Sequence, residues 1–320
     1  MATETLQFDD GRELLALCGG DLKNLKQLEA ALDIKTVTRE GWLKIEGKPD
    51  AIATATALFD ELKDARTRGA QIRRQEFSLA LNAITGGQRS EIAGFFAQKI
   101  PVSPRKRPVA PRTFGQNAYV DAIRKNDIVF GIGPAGTGKT YLAMAMAVSE
   151  LKEEKVARII LTRPAVEAGE ALGFLPGTLD EKVAPYLRPL YDALYDMLDP
   201  DETIRLTERR IIEVAPLAYM RGRTLNNSFV ILDEAQNTTP EQMFMFLTRL
   251  GFDSKCVITG DTTQVDLPSS KKSGLIEAEE LLGDIPGIAI VRMSEKDIVR
   301  HELVQKIIAV YQQARKKKSA

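Results

Sequence analysis

The sequence predicts an α/β protein in which a mostly parallel sheet, covered by helices on both faces, follows a smaller α/β unit. Three observations carry that prediction. From Asn117 onward, short apolar runs at 128–132, 158–162, 211–215, 228–232, 255–259 and 287–291 alternate with helical stretches, the pattern of strands buried on both faces. The run Ile128-Val129-Phe130 ends in a glycine-rich turn, GIGPAGTGKT (131–140), that opens a helix. Ahead of it, PVSPRKRPVAPRTFGQ (101–116) holds four prolines, which break helix and ladder alike. These divide the chain into an N-terminal domain at 1–85, a Pro-rich and basic linker at 86–116, and a larger domain at 117–320.

Composition sets the outer limits. At 320 residues and 44% hydrophobic content the chain can bury a large core. No run approaches the roughly 20 apolar residues of a membrane span, and the opening MATETLQFDD lacks the basic region and apolar core of a signal peptide, so a cytoplasmic location away from membranes is expected. Cys18 and Cys256 are too few for a disulfide framework or zinc site and read as buried thiols. Basic and acidic residues balance at 44 each, so nucleic-acid binding would have to come from local patches. Arg105, Lys106 and Arg107 form one such patch, which either touches an anionic partner or is simply solvated.

In the N-terminal unit, Leu14, Leu15 and Leu17 close a short helix, and Leu22, Leu25, Leu28, Ala31 and Leu32 fall at helical spacing on the next. DIKTVTREGWLKIEG reads as a hairpin turning at Glu40-Gly41, with Trp42 anchoring the second strand. A third helix starts at Asp50 and continues through 65–85. This order resembles a minimal KH RNA-binding module, whose G-x-x-G loop clamps phosphates. Here the matching stretch is Gly19-Gly20-Asp21-Leu22, with leucine for the second glycine, and both RNA binding and a structural or docking role are open to it.

GPAGTGKT, from Gly133 through Pro134, Ala135, Gly136, Thr137 and Gly138 to Lys139 and Thr140, fits the G-x-x-x-x-G-K-[ST] phosphate loop at every fixed position. The glycines let successive N–H groups point into one anionic nest at the start of a helix. Lys139 is expected on the β- and γ-phosphates, and Thr140 on Mg²⁺. SFVILDEAQN (228–237) runs four apolar residues through the sheet and releases Asp233, the expected Mg²⁺ partner, and Glu234, the expected base for an attacking water. CVITGDTTQVDLP (256–268) follows another strand and ends a polar turn in Gln264, whose amide suits sensing of a γ-phosphate. Gln116 and Tyr119 precede the first strand by about two helical turns; Gln116 is a candidate adenine reader or an ordinary polar residue. No Asn-Lys-x-Asp guanine reader occurs, so ATP is favoured over GTP.

Over roughly residues 105–315 the chain resembles the PhoH family. The resemblance rests on FGIGPAGTGKTYLAMA, LTRPAVEAGEALGFLPGTLDEKVAPYLRPLYDAL, AYMRGRTLNNSFVILDEAQNTTPEQMFMFLTRLG, ITGDTTQVDLP and DIVRHELVQKIIAVY. It implies a single RecA-like P-loop ATPase core related to helicases, with a role in RNA metabolism. For two-domain members it also implies a link to ribosomal RNA processing beside an endoribonuclease. The stretch 163–190 either grips single-stranded RNA through Arg163 and Arg188 or packs between subunits. Met144, Met146, Met243 and Met245 read as core, and His301 as a packing or capping residue.

Two functions are compatible with these features: an RNA-stimulated ATPase, and an ATP-controlled switch for a protein partner. One RecA-like domain lacks the second domain that brings an arginine to the γ-phosphate, which points to a homo-oligomeric ring, a hexamer by analogy, with Arg300 as the arginine supplied across the interface. Arg223 and Arg163 are the alternatives.

Overall fold

The computed structural model describes residues 2–164, 179–268, 270–299, 303–304, 307 and 310. It divides into two compact units, one formed by Met1–Gln98 with Arg112–Phe114, the other by Lys99–Pro111 with Gly115–Ala320.

In the first unit, β1 (Ala2–Gln7) leads to α1 (Gly11–Leu17) and α2 (Leu25–Leu32), then to the hairpin β2 (Lys35–Arg39) and β3 (Trp42–Gly47). Three helices follow: α3 (Pro49–Thr67), α4 (Arg74–Thr85) and α5 (Arg89–Ala97). The sheet is antiparallel in the order β1-β3-β2. Glu40 and Gly41 take positive φ at the two-residue hairpin turn, where left-handed residues match the twist of the flanking strands. Leu14, Leu28, Leu43, Ile45, Leu58 and Phe77 fill the core beneath.

Three expectations for this half of the chain need correction. β1 went unread because ATETLQ is mostly exposed and polar, so an edge strand there shows no apolar alternation. The continuous helix through 65–85 is broken between α3 and α4, where Gly69 takes φ 82°. The linker expected at 86–116 is not one irregular stretch. Residues 89–97 are helical, and Ile100 pairs with Val109 as an antiparallel bridge. Ile100 and Val102 enter the core of the second unit, the Ser103 amide donates to the Met197 carbonyl, and Lys106 Nζ donates to the Tyr195 carbonyl at 2.7 Å. Prolines forbid helix and ladder interiors, yet they leave side chains free to pack.

The Gly19-Gly20-Asp21-Leu22 turn is built into its unit. Gly19 has φ 74°, and a Cβ there would lie 2.7 Å from both the Arg73 carbonyl carbon and the Arg74 amide nitrogen. Asp21 caps the following turn by accepting from the Lys23 amide, and buried Asn24 donates to the Cys18 carbonyl. Every polar group of this loop named here serves the fold.

The second unit runs α6 (Phe114–Lys125), β4 (Ile128–Ile132), α7 (Lys139–Lys152), β5 (Arg158–Arg163), α8 (Leu179–Met197), α9 (Pro200–Glu208), β6 (Ile212–Pro216), β7 (Ser228–Leu232), α10 (Pro240–Leu247), β8 (Lys255–Gly260), α11 (Gly274–Leu282) and β9 (Ile288–Arg292). Among the described residues its sheet has six strands, all parallel, in the order β6-β5-β7-β8-β4-β9. Each strand lies within a residue of the apolar run that predicts it. Alternation of period two sorts their side chains between two cores. Val129, Ile159, Phe229, Ile231 and Val257 meet α7 and α8, while Phe130, Ile160, Val230, Leu232 and Ile258 meet α10 and α11. Met144, Met146 and Met243 are buried as expected, and Met245 is half-buried. Cys18 and Cys256 are free and buried, and burial pushes the Cys18 thiol up to about 12. Among the described residues no helix is long and apolar enough to cross a membrane.

The Gly19 packing is testable through Trp42, the only tryptophan of the chain and part of β3. Gly20→Ala meets only left-handed strain, about 1–2 kcal/mol, because nothing lies within 4 Å of its added Cβ. Gly19→Ala meets the same strain and also the Arg73–Arg74 backbone, so its urea midpoint by Trp42 fluorescence should fall further. Equal shifts for the two variants would contradict this packing.

Candidate functional site

A parallel sheet points every strand's C-terminal end the same way, and ligands of such folds sit beyond that edge where the strand order reverses. Here β4 is flanked by β8 and β9, although it precedes both in sequence, and its C-terminal end opens into the glycine loop. The loop is fastened from both neighbouring strands: the Gly133 amide donates to the Gly260 carbonyl, and the Met293 amide donates to the Ile132 carbonyl. Gly136 and Gly138 take φ 87° and 81°, a conformation that costs glycine little. Val299 donates its amide to the Gly136 carbonyl, tying the segment after β9 to the loop.

Lys139 opens α7 and is 9% exposed. Its ammonium donates to the carbonyls of Gly133 at 2.6 Å and Pro134 at 2.9 Å. Burial lowers its pKa, and the nearby carboxylates of Asp261, Glu234 and Asp233 work against that shift. Thr140, the next residue, donates its hydroxyl to Asp233 Oδ1 at 2.6 Å. Asp233 is the first residue past β7 and shares the parity of Phe229 and Ile231, so it emerges on the face that α7 covers. Its Oδ1 also accepts from the Thr259 hydroxyl at 2.7 Å. Thr140 and Asp233, the two residues expected on Mg²⁺, are thus in direct hydrogen-bond contact, and Thr259 is an additional partner of Asp233.

Glu234 follows in a left-handed conformation, φ 52°, and is half-buried. Its Oε2 accepts from Gln236 Nε2 at 2.6 Å. Gln236 also donates to the Gln264 carbonyl at 3.2 Å and accepts from the Asp261 amide at 3.0 Å, so one buried carboxamide joins the turn after β7 to the turn after β8. Gln264 donates its own side-chain nitrogen to Asp261 Oδ2 at 2.6 Å. Burial raises the Asp261 pKa, but hydrogen bonds from Thr263 and Gln264 and the charge of Lys139 outweigh it, and the net shift is downward.

The arginines sort differently from expectation. Arg163, at the end of β5, lies within its own chain 3.8 Å from Asp233 Oδ2 and 3.7 Å from Glu234 Oε1, so it is placed in cis beside the acidic pair. Arg223 is held in a two-pronged pair with Glu213 at 2.6 and 2.7 Å. Arg300 and His301 lie outside the described residues, as does most of the loop expected after Arg163. Gln116 is 4% exposed and donates Nε2 to the Thr137 carbonyl at 2.9 Å. This bond ties α6 to the phosphate loop. Tyr119 is fully buried against Gly131, where a Cβ would lie 2.6 Å from its ring.

Sequence reasoning missed Thr259 and Gln236. The signal for each was a polar residue in a stretch where the local pattern calls for burial: Thr259 ends the strand Cys256-Val257-Ile258, and Gln236 follows Ala235.

Thr140 and Asp233 offer only oxygens, a hydroxyl and a carboxylate, which suits a hard divalent cation such as Mg²⁺. Among the described residues no group of three His, Cys, Asp or Glu side chains forms a self-sufficient metal cage. Strand, glycine loop, helix and acidic strand end together form a phosphate-loop NTPase fold.

Comparison with known proteins places this architecture. The family model described as PhoH-like protein matches residues 108–312. A PhoH-like protein of Bacillus subtilis (strain 168) is 50% identical over 299 residues, covering 93% of this chain and 94% of its own. A PhoH-like protein of Synechocystis sp. (strain ATCC 27184 / PCC 6803 / Kazusa) is 46% identical over 312 residues, 98% of this chain and 95% of its own. Protein PhoH of Escherichia coli (strain K12) is 45% identical over 206 residues, 64% of this chain and 58% of its own. Identity near one half that extends along almost the whole chain, together with a family model spanning the phosphate-loop unit, shows that this protein belongs to the PhoH-like family.

Proposed function

We propose that the protein binds ATP with Mg²⁺ and hydrolyses it, in the service of RNA metabolism or ribosomal RNA processing. The observation that carries this reading is the convergence of Lys139 and Thr140 from the loop with Asp233 from β7 at one edge of the sheet. Mg²⁺, when bound, would neutralise phosphate charge. Thr140 and Asp233 would hold it. The loop amides and Lys139 bind the phosphates, the lysine exchanging its bonds to the Gly133 and Pro134 carbonyls for phosphate oxygens. Glu234, oriented by Gln236, takes the proton of the attacking water. Gln264 reports on the γ-phosphate by leaving Asp261. Arg163 supplies positive charge in cis beside the acidic pair.

We assign RNA, single-stranded or ribosomal, as the effector from the family resemblance and from the order β1-α1-α2-β2-β3-α3 of the N-terminal unit. An endoribonuclease partner and a homo-oligomeric ring with Arg300 at a shared site belong to the same proposal. One observation favours the switch reading instead. The bond from the Val299 amide to Gly136 gives the phosphate loop a direct connection to the C-terminal segment, through which nucleotide occupancy would reach a protein partner.

Lys139→Ala is expected to lose nucleotide binding while keeping the Trp42 unfolding transition; turnover equal to wild type would sink the hydrolysis reading. Glu234→Gln is expected to retain ATP binding and to lose about 10²- to 10⁴-fold in single-turnover hydrolysis, since the base is lost and the cation ligand kept. If Glu234→Gln fails to bind ATP, the roles of the acidic pair are reversed. Single-stranded RNA should raise steady-state turnover; an unchanged rate across RNA concentrations favours the switch.

Mixing subunits tests the two arginines. Arg163→Ala should lose turnover and gain nothing from added Lys139→Ala subunits, because it acts in its own chain. Arg300→Ala mixed with Lys139→Ala should recover partial activity. Failure to recover in demonstrably mixed oligomers would assign the transition-state charge to Arg163 alone.

A further inference from the structure

We infer that Thr259 is a positioning residue for the divalent cation, holding the Asp233 carboxylate in the orientation in which it serves the metal. This rests on the nucleotide-hydrolysis reading and extends it to a residue outside the phosphate loop and the acidic pair.

Thr259 is out of keeping with the composition of its strand. β8 reads Lys255-Cys256-Val257-Ile258-Thr259-Gly260, and its middle is apolar and buried. Thr259 has no solvent exposure, yet it carries a hydroxyl where valine would fill the same space. A buried hydroxyl costs stability unless it is bonded, so a threonine here needs a partner. It has a strong one: its Oγ1 donates to Asp233 Oδ1 at 2.7 Å, with Thr140 Oγ1 and the Leu232 carbonyl each farther off at 3.4 Å.

Topology explains why this position meets that carboxylate. β8 lies between β7, which Asp233 follows directly, and β4, which leads into the loop. Its register sets Ile258 beside Leu232 and Thr259 beside Gly131. Thr259 shares the parity of Val257, so it faces α7, the helix that carries Thr140. Three elements therefore bring two hydroxyls to one carboxylate oxygen.

The chemistry gives the two hydroxyls different tasks. Thr140 sends its proton to Asp233, which leaves its lone pairs free for a cation. Were Thr140 the sole anchor, the carboxylate would be oriented only by the group that the cation itself engages. Thr259 supplies an anchor that the cation does not touch. Both hydroxyls bond Oδ1, while Oδ2 lies 3.8 Å from Arg163 Nη1. Carboxylates that serve metals are themselves hydrogen-bonded, and losing such an outer partner typically costs about 10- to 100-fold in metal affinity.

The test uses the full chain as wild type, Thr259→Val, Thr259→Ala and Thr259→Ser. Binding of a fluorescent ATP analogue is titrated with Mg²⁺, and thermal melting is recorded alongside. Valine keeps the shape and removes the hydroxyl; alanine and serine both lack the methyl, and only serine keeps the hydroxyl. The half-saturating Mg²⁺ concentration is expected to rise about 10- to 100-fold for valine and alanine. Serine should stay close to wild type, and nucleotide affinity at saturating Mg²⁺ should change little. The inference is overturned if valine titrates like wild type, or if serine and alanine shift equally, which would mean that packing of the methyl is what matters. Should valine fail to fold, the serine–alanine comparison decides. Wild type showing no Mg²⁺-dependent nucleotide binding would instead remove the hydrolysis reading itself, and this inference with it.

Discussion

The position of β8 between β7 and β4 is the constraint on which the candidate site depends. With that order, the carboxylate released by β7 and the loop released by β4 stand on either side of one strand, at the same edge, on the face covered by α7. A change of order would leave the motifs intact in sequence and scatter them in space. Each strand in the middle of the sheet is buried on both faces, and the strands are held by apolar packing against α7 and α8 on one side and α10 and α11 on the other. The chemistry at the edge is thus positioned by a core that contains none of it.

That edge concentrates charge in a partly dry setting. Lys139 is almost fully buried, and desolvation disfavours its charged form, while Asp261, Glu234 and Asp233 favour it. Arg163 approaches the same acidic pair from β5 at 3.7 to 3.8 Å, longer than a direct hydrogen bond. The hydrogen bonds of Gln236 link the turns after β7 and β8.

The segment around 100–110 shows how a polar, proline-rich stretch can belong to a core. Ile100 and Val102 are buried, and Lys106 satisfies a carbonyl near the end of α8. A helix leaves its last carbonyls without internal partners, and a basic side chain is a natural donor there. Its charge run is accordingly divided: Lys106 is committed to the fold, while Arg105 and Arg107 are exposed.

The sequence by itself determined the six strands of the large unit, the phosphate loop, and the roles open to Thr140, Asp233 and Glu234. Each rests on local information: a buried apolar run, glycines where the backbone turns left-handed, a carboxylate released at a strand end. The same locality explains what it could not reach. Thr259 meets Asp233 only because β8 pairs with β7 in one register, and Gln236 meets Gln264 across 28 residues of chain. Arg163 and Arg223 look alike as basic residues near motifs, and only tertiary structure set one beside the acidic pair and locked the other onto Glu213. Gln116 was legible as a polar residue near the loop, but its direction beneath Thr137 depends on how α6 packs against β4. Strand β1 was hidden for the converse reason: a polar edge strand needs only backbone partners, and the pairing that makes it a strand lies in β3 rather than in its own side chains.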